Sequence, residues 1–152
     1  IANSLYQSKG FIFIGRGRYF PIALEGALKL KEIAYVHAEG YASGELKHGP
    51  IALIDESMST VALLGPELFE KSLSNVEEIK ARKGVIFAIA PEDNMEAKSI
   101  ANYILPLNFK GLNNFSGLYL NVALQLFSYE VAKLKGTDID RPRNLAKSVT
   151  VE

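Results

Sequence analysis

Four short stretches of the chain are apolar at consecutive rather than alternate positions: Phe11–Gly15 (FIFIG), Thr60–Leu64 (TVALL), Val85–Ala90 (VIFAIA) and Tyr103–Leu107 (YILPL). Each is rich in β-branched or aromatic residues and too short for a helix. That pattern predicts strands covered on both faces, as in a parallel sheet. Between them, the apolar spacing predicts helices over about 21–35, 66–83, 94–101 and 114–135. Pro66 suits a first helical turn, and Gly84 a helix stop before the third strand. In the last helix, Phe115, Tyr119 and Phe127 recur at helical spacing and are predicted to be core. Strand alternating with helix gives an α/β fold of three layers, a mainly parallel sheet with helices on both faces. Ligands in such folds bind beyond the carboxyl ends of the strands, so the segments after Gly15 and Gly65 are the first places to inspect.

Two stretches stand outside this alternation. HAEGYASGELKHGP, residues 37–50, reads as a glycine-rich polar insertion in which Ser43 caps a short turn that Gly49-Pro50 ends. The final stretch, GTDIDRPRNLAKSVTVE, has no helical period and reads as an irregular arm, residues 136–152, that frays or lies across the domain formed by residues 1–135.

The segment LEGALKLKEI, residues 24–33, carries the least ordinary pattern. Residues seven apart on a helix are nearly eclipsed, so Glu25 and Glu32 lie on one line with Lys29 between them. Ile22 and Ile33 flank that line on one side, and Leu24, Leu28 and Tyr35 on the other. An amphipathic surface helix gives a broad polar arc to solvent; this one has a thin charged seam between two apolar flanks. One reading is a ladder of i,i+4 ion pairs, each stabilising the helix by about 0.2–0.5 kcal/mol. The other is a seam lining a cleft or subunit interface, where a partly desolvated carboxylate beside a cation can move a proton near neutral pH.

Composition narrows the function. The 152 residues hold 17 basic and 17 acidic side chains, a net charge of zero that gives no reason to expect a nucleic-acid or anionic-membrane partner. The apolar runs are far too short to span a bilayer, and no signal peptide is recognisable. A cytoplasmic location is the expectation. The chain has no cysteine and only two histidines, His37 and His48, so disulfides, thiolate nucleophiles and a zinc site are not expected. GRGRYF, residues 15–20, follows a strand as a dinucleotide fingerprint would, but Phe20 stands where glycine or alanine is needed. Gly15 and Gly17 are read as turn residues, and no cofactor is implied.

ALEGALKLKEI, HAEGYASGELKHGP and the terminal DRPRNLAKSVTVE together resemble the glutamine–fructose-6-phosphate amidotransferase (glucosamine-6-phosphate synthase) family, over the whole chain. The resemblance implies a flavodoxin-like sugar-isomerase (SIS) domain, the second of two SIS halves in a homodimeric isomerase core. The glutaminase and the first SIS half, with its loop for the sugar phosphate, are absent from this chain, and Ile1 in place of an initiator Met fits a piece of a longer polypeptide. The implied substrate is fructose 6-phosphate, and the piece alone is expected to be inactive. By the same resemblance, Glu32 is the base that shuttles a proton between C1 and C2. Lys147 forms an imine with the open-chain ketose, His48 assists ring opening from the neighbouring subunit, and Glu25 and Lys29 support the acid–base work. An imine-forming lysine must be neutral part of the time, whereas free lysine titrates at about 10.4, so Lys147 needs desolvation or a nearby cation such as Arg143. A non-catalytic phosphosugar-sensing SIS module and a fructosamine-6-phosphate deglycase are the alternatives; only an enzyme needs both an imine lysine and a proton shuttle.

Overall fold

In a computed structural model, which describes residues 1–145, the predicted α/β alternation is present with one strand more than the sequence suggested. The elements in chain order are α1 (Ala2–Leu5), β1 (Gly10–Gly15), α2 (Tyr19–Ala34), β2 (Ala38–Ala42), β3 (Met58–Leu63), α3 (Phe69–Lys80), β4 (Val85–Pro91), α4 (Met95–Ile100), β5 (Tyr103–Leu107) and α5 (Ser116–Lys135). Short 3-10 turns cover Ser43–His48, Pro50–Leu53 and Asn113–Phe115. The strands form one sheet in the order β2-β1-β3-β4-β5, and every pairing is parallel.

Two separate cores make the three layers. On one face α1, α2 and α5 cover Phe11, Phe13, Val61, Leu63, Phe87 and Ile89. On the other, α3, α4 and the 3-10 turns cover Ile12, Ile14, Ala62, Ile86, Ala88 and Ala90. Successive residues of one strand point to opposite faces, so β1, β3 and β4 are covered on both; all six residues of β1 are buried, and the polar Ser59 and Thr60 of β3 are buried with their apolar neighbours. The ring of Phe127 on α5 packs between Phe11 and Phe87, with centroids 5.8 and 5.1 Å away.

The strand that sequence reasoning missed is β2, AEGYA, inside the stretch read as a polar insertion. It is an edge strand, fully buried only at Ala38, so it lacks the apolar signature of the inner strands. Its Gly40 is there for packing: a Cβ would lie 2.8 Å from the backbone N and Cα of Leu24 in α2. Ser43 opens the following 3-10 turn without capping it. It is buried, and its hydroxyl has no hydrogen-bond partner.

Other local expectations shift by a few residues. Helix α3 starts at Phe69, with Leu68 in the left-handed region at φ 56°, so Pro66 lies in the preceding loop rather than the first turn. The left-handed residue after α3 is Lys83, at φ 61°, rather than Gly84. Gly84 is small because a Cβ would press on the methyls of Ile79 and Ile54. Phe127 is core as expected, but Phe115 is 66% exposed and Tyr119 37% exposed, because the apolar surface of α5 is wider than the sheet can cover.

A Gly40→Ala substitution forces β2 and α2 apart, since backbone atoms cannot swing aside. It is expected to destabilise the chain by about 1–3 kcal/mol, read as a lower urea midpoint with unchanged slope. An unchanged midpoint would contradict this packing.

Candidate active site

Helix α2 takes its rotational setting from its small residues. Ala23, Gly26, Ala27 and Ala34, with Leu30, are buried against the sheet and α5. This leaves Glu25, Lys29 and Glu32 at the rim of the packed face, neither buried nor free. Lys29 Nζ donates to Glu32 Oε2 at 2.8 Å and lies 3.5 Å from Glu25 Oε1. The ion-pair ladder is therefore real, and tighter toward Glu32. The two flanks are not alike. Ile22 and Ile33 pack against the core, whereas on the second flank Leu24 and Leu28 are 45% and 41% exposed.

The carboxyl end of α2 meets the arm. Thr137 Oγ1 donates to the last-turn carbonyl of Ile33 at 2.5 Å, and Ile139 packs on the core. Asp138 Oδ1 accepts from the backbone N–H groups of Asp140 and Arg141, bending the chain. The backbone N–H of Arg143 then donates to the Tyr35 hydroxyl at 2.8 Å, while its guanidinium carbon lies 4.2 Å from the centre of the Tyr35 ring. The described part of the arm thus lies across the domain. Between it and α2 is a cavity of about 550 Å³ lined by Leu28, Lys31, Glu32, Tyr35, Arg143 and Leu145, among others.

Of the residues singled out from sequence, the structure brings Glu25, Lys29 and Glu32 together, with Glu32 at the cavity. Lys147 lies outside the described residues; Leu145, two positions earlier, lines the cavity. His48 is not brought to Glu32 within the chain. Glu32 precedes the amino end of β2, and His48 follows its carboxyl end. The imidazole is exposed, with Nδ1 2.8 Å from Glu45 Oε2.

The crevice at the strand ends, where the fold rule pointed first, is bridged. Gly17 turns the chain after β1 at φ 57°, as expected of a turn residue. Arg18 pairs with Glu67, and its Nη1 donates to Asn114 Oδ1 at 3.0 Å across a cavity of about 390 Å³. Sequence reasoning missed Tyr35 as a site residue and named Arg143 only as a charge. The signal available was slight: an aromatic at the end of α2 and a cation beside Pro142, 108 positions apart.

An SIS domain model matches residues 4–135. A glutamine–fructose-6-phosphate aminotransferase [isomerizing] from Sphingobium yanoikuyae is 48% identical over 157 residues, covering all of this chain and 98% of the relative. The chain belongs to the SIS domain family, among the glutamine–fructose-6-phosphate aminotransferases. The enzyme of that name from Pectobacterium atrosepticum is 54% identical over 153 residues, all of this chain but 25% of the relative. The chain spans about a quarter of the length of several other relatives it matches. Among solved structures, the C-terminal domain of glucosamine-fructose-6-phosphate aminotransferase from Francisella tularensis superposes with a TM-score of 0.82 at 44% identity, over 92% of this chain and 40% of that one. The parallel α/β sheet read from strand and helix alternation and the SIS domain implied by the resemblance are thus both present. Among the described residues, no helix is long and apolar enough to cross a membrane.

The seam makes a pH prediction. The hydrogen bond from Lys29 to Glu32 holds the ammonium above its ordinary pKa, with burial opposing and the Glu32 and Glu25 charges assisting. A raised lysine pKa contributes stability that is complete below the unfolded value and is lost as pH rises through the folded one. Between about pH 9 and about pH 12, the wild-type urea midpoint should therefore fall more steeply than that of Lys29→Met. Parallel profiles would contradict the pairing.

Proposed function

We propose that this chain is the carboxyl-terminal isomerase lobe of an enzyme that converts fructose 6-phosphate and glutamine into glucosamine 6-phosphate and glutamate. The observation that carries this reading is the placement of Glu32: salt-bridged to Lys29 and facing a cavity whose opposite wall is the arm that leads to Lys147. Aldose–ketose isomerisation removes a proton from a carbon next to a carbonyl or imine and returns it to the neighbouring carbon. It needs a carboxylate within hydrogen-bond reach of both carbons. In this reading Glu32 is that carboxylate, and Lys29 orients it. Glu25 shares the charge of Lys29, and Lys147 forms the imine with the open-chain ketose.

The remaining parts lie outside the chain. His48 is exposed and away from Glu32, which suits a residue donated to the site of a second copy in a homodimer. A chain spanning about a quarter of the length of several relatives leaves room for a glutaminase and a first SIS half that holds the phosphate. The outer face of α5 offers that half a surface: Leu118, Val122 and Leu126, at i, i+4 and i+8, are all more than half exposed. Val122 and Leu126 border an apolar groove of about 400 Å³ with Leu105 and Leu107 of β5.

In the full-length protein, Glu32→Gln keeps size and hydrogen bonding but removes the base. Conversion of fructose 6-phosphate to glucosamine 6-phosphate is expected to fall by about a hundredfold or more, with glutamine hydrolysis unaffected. Retention of the wild-type rate would overturn the reading.

A further inference from the structure

We infer that Tyr35 is a positioning residue: it clamps the carboxyl-terminal arm at Arg143, so that Asn144 and Leu145 line the cavity beside Glu32. The inference rests on the proposed isomerase reading and adds to it a residue that neither the seam nor the imine lysine supplies.

The clamp has two contacts on one side chain. The phenol oxygen of Tyr35 accepts the Arg143 backbone N–H at 2.8 Å. The ring of the same residue lies under the Arg143 guanidinium, whose carbon is 4.2 Å from the ring centre. The first contact fixes the path of the main chain, and the second fixes the side chain over the ring, where the quadrupole attracts a cation. Tyr35 is itself held in an unusual conformation. As the residue that ends α2, it sits in the left-handed region at φ 54° and ψ 36°, a position that glycine commonly fills.

Distance ties the clamp to the reaction. Glu32 is three residues before Tyr35, on the last turn of the same helix, and both line the cavity. Leu145 lines it too, and Lys147 is two residues further, about 7 Å of extended chain at most. Pro142 stiffens the approach to the clamp, because its ring fixes φ. Thr137 holds the start of the arm to the Ile33 carbonyl, so the chain between Thr137 and Arg143 is pinned at both ends to the carboxyl terminus of α2. Without the second pin, Leu145 would be free to leave the cavity, and in the proposed isomerase reading the Lys147 amine would meet the ketose less often in attack geometry.

The test uses the full-length protein with Tyr35→Phe, Tyr35→Leu, Arg143→Ala, Tyr35→Leu/Arg143→Ala and Lys147→Ala, and reads the rate at which borohydride traps the fructose 6-phosphate imine. Tyr35→Phe keeps the ring and the fold while losing the acceptor, and should slow trapping about threefold to tenfold. Tyr35→Leu loses both contacts and should slow it a further two- to fivefold. The double variant should trap no more slowly than Tyr35→Leu, because both changes break one clamp. Referred to the folded fraction of each variant, read from its urea midpoint, the turnover number should still fall in parallel, with little change in KM for fructose 6-phosphate; a fall that vanishes on that correction would be loss of folding and would overturn the clamp. Wild-type trapping by Tyr35→Leu, together with abolished trapping by Lys147→Ala, would overturn the clamp alone. Undiminished trapping by Lys147→Ala would overturn the isomerase reading beneath it.

Discussion

Helix α2 is seated at contact distance on two sides, and that seating sets what its charged seam faces. On one side, Gly40 of β2 leaves no room for a Cβ against the backbone of Leu24. On the other, a Cβ at Gly26 would stand 2.6 Å from a methyl of Leu124 in α5 and 3.0 Å from the ring of Phe13. The helix can neither settle closer to β2 nor roll toward α5 without colliding, and rising from the sheet would open a cavity. Its rotation therefore follows from packing, and packing carries Glu25, Lys29 and Glu32 to the rim of the buried face. The ion pairs, the cavity and the docking of the arm follow from that setting.

Much of the fold was legible because the inner strands are apolar over consecutive positions, Ser59 and Thr60 of β3 aside, and only a doubly covered sheet needs that. β1, β3 and β4 announce themselves in this way. The edge strand β2 does not: with one neighbour and a half-open face, AEGYA needs neither bulk nor alternation. Its glycine, which reads as a turn signal in sequence, answers instead to the backbone of α2. The misplacement of Pro66 and Gly84 has a similar origin. Leu68 and Lys83 take the left-handed conformations near the ends of α3, and no residue preference identifies a leucine or a lysine in that role.

The candidate site was legible in part. Spacing alone put Glu25, Lys29 and Glu32 in line, because residues seven apart on a helix share a face. Their half-buried setting and the closer pairing with Glu32 depend on neighbours from β2, α5 and the arm. Two apolar flanks suggested contact on both sides of the seam; Ile22 and Ile33 pack on the core, whereas Leu24 and Leu28 are exposed. The opposition of His48 and Glu32 across β2 could be seen only once β2 was recognised as a strand. The Tyr35–Arg143 contact joins residues 108 positions apart, and nothing local in either marks it.

The central claim is that the seam of α2 and the arm meet around one small sugar. It is tested most directly by a structure of the full-length protein with fructose 6-phosphate bound. The account predicts the Glu32 carboxylate within about 3 Å of the protons at C1 and C2, with the Lys147 amine at the carbonyl carbon and the arm still held at Tyr35. A sugar lying in the crevice between Arg18 and Glu67, with Glu32 facing bulk water, would contradict it.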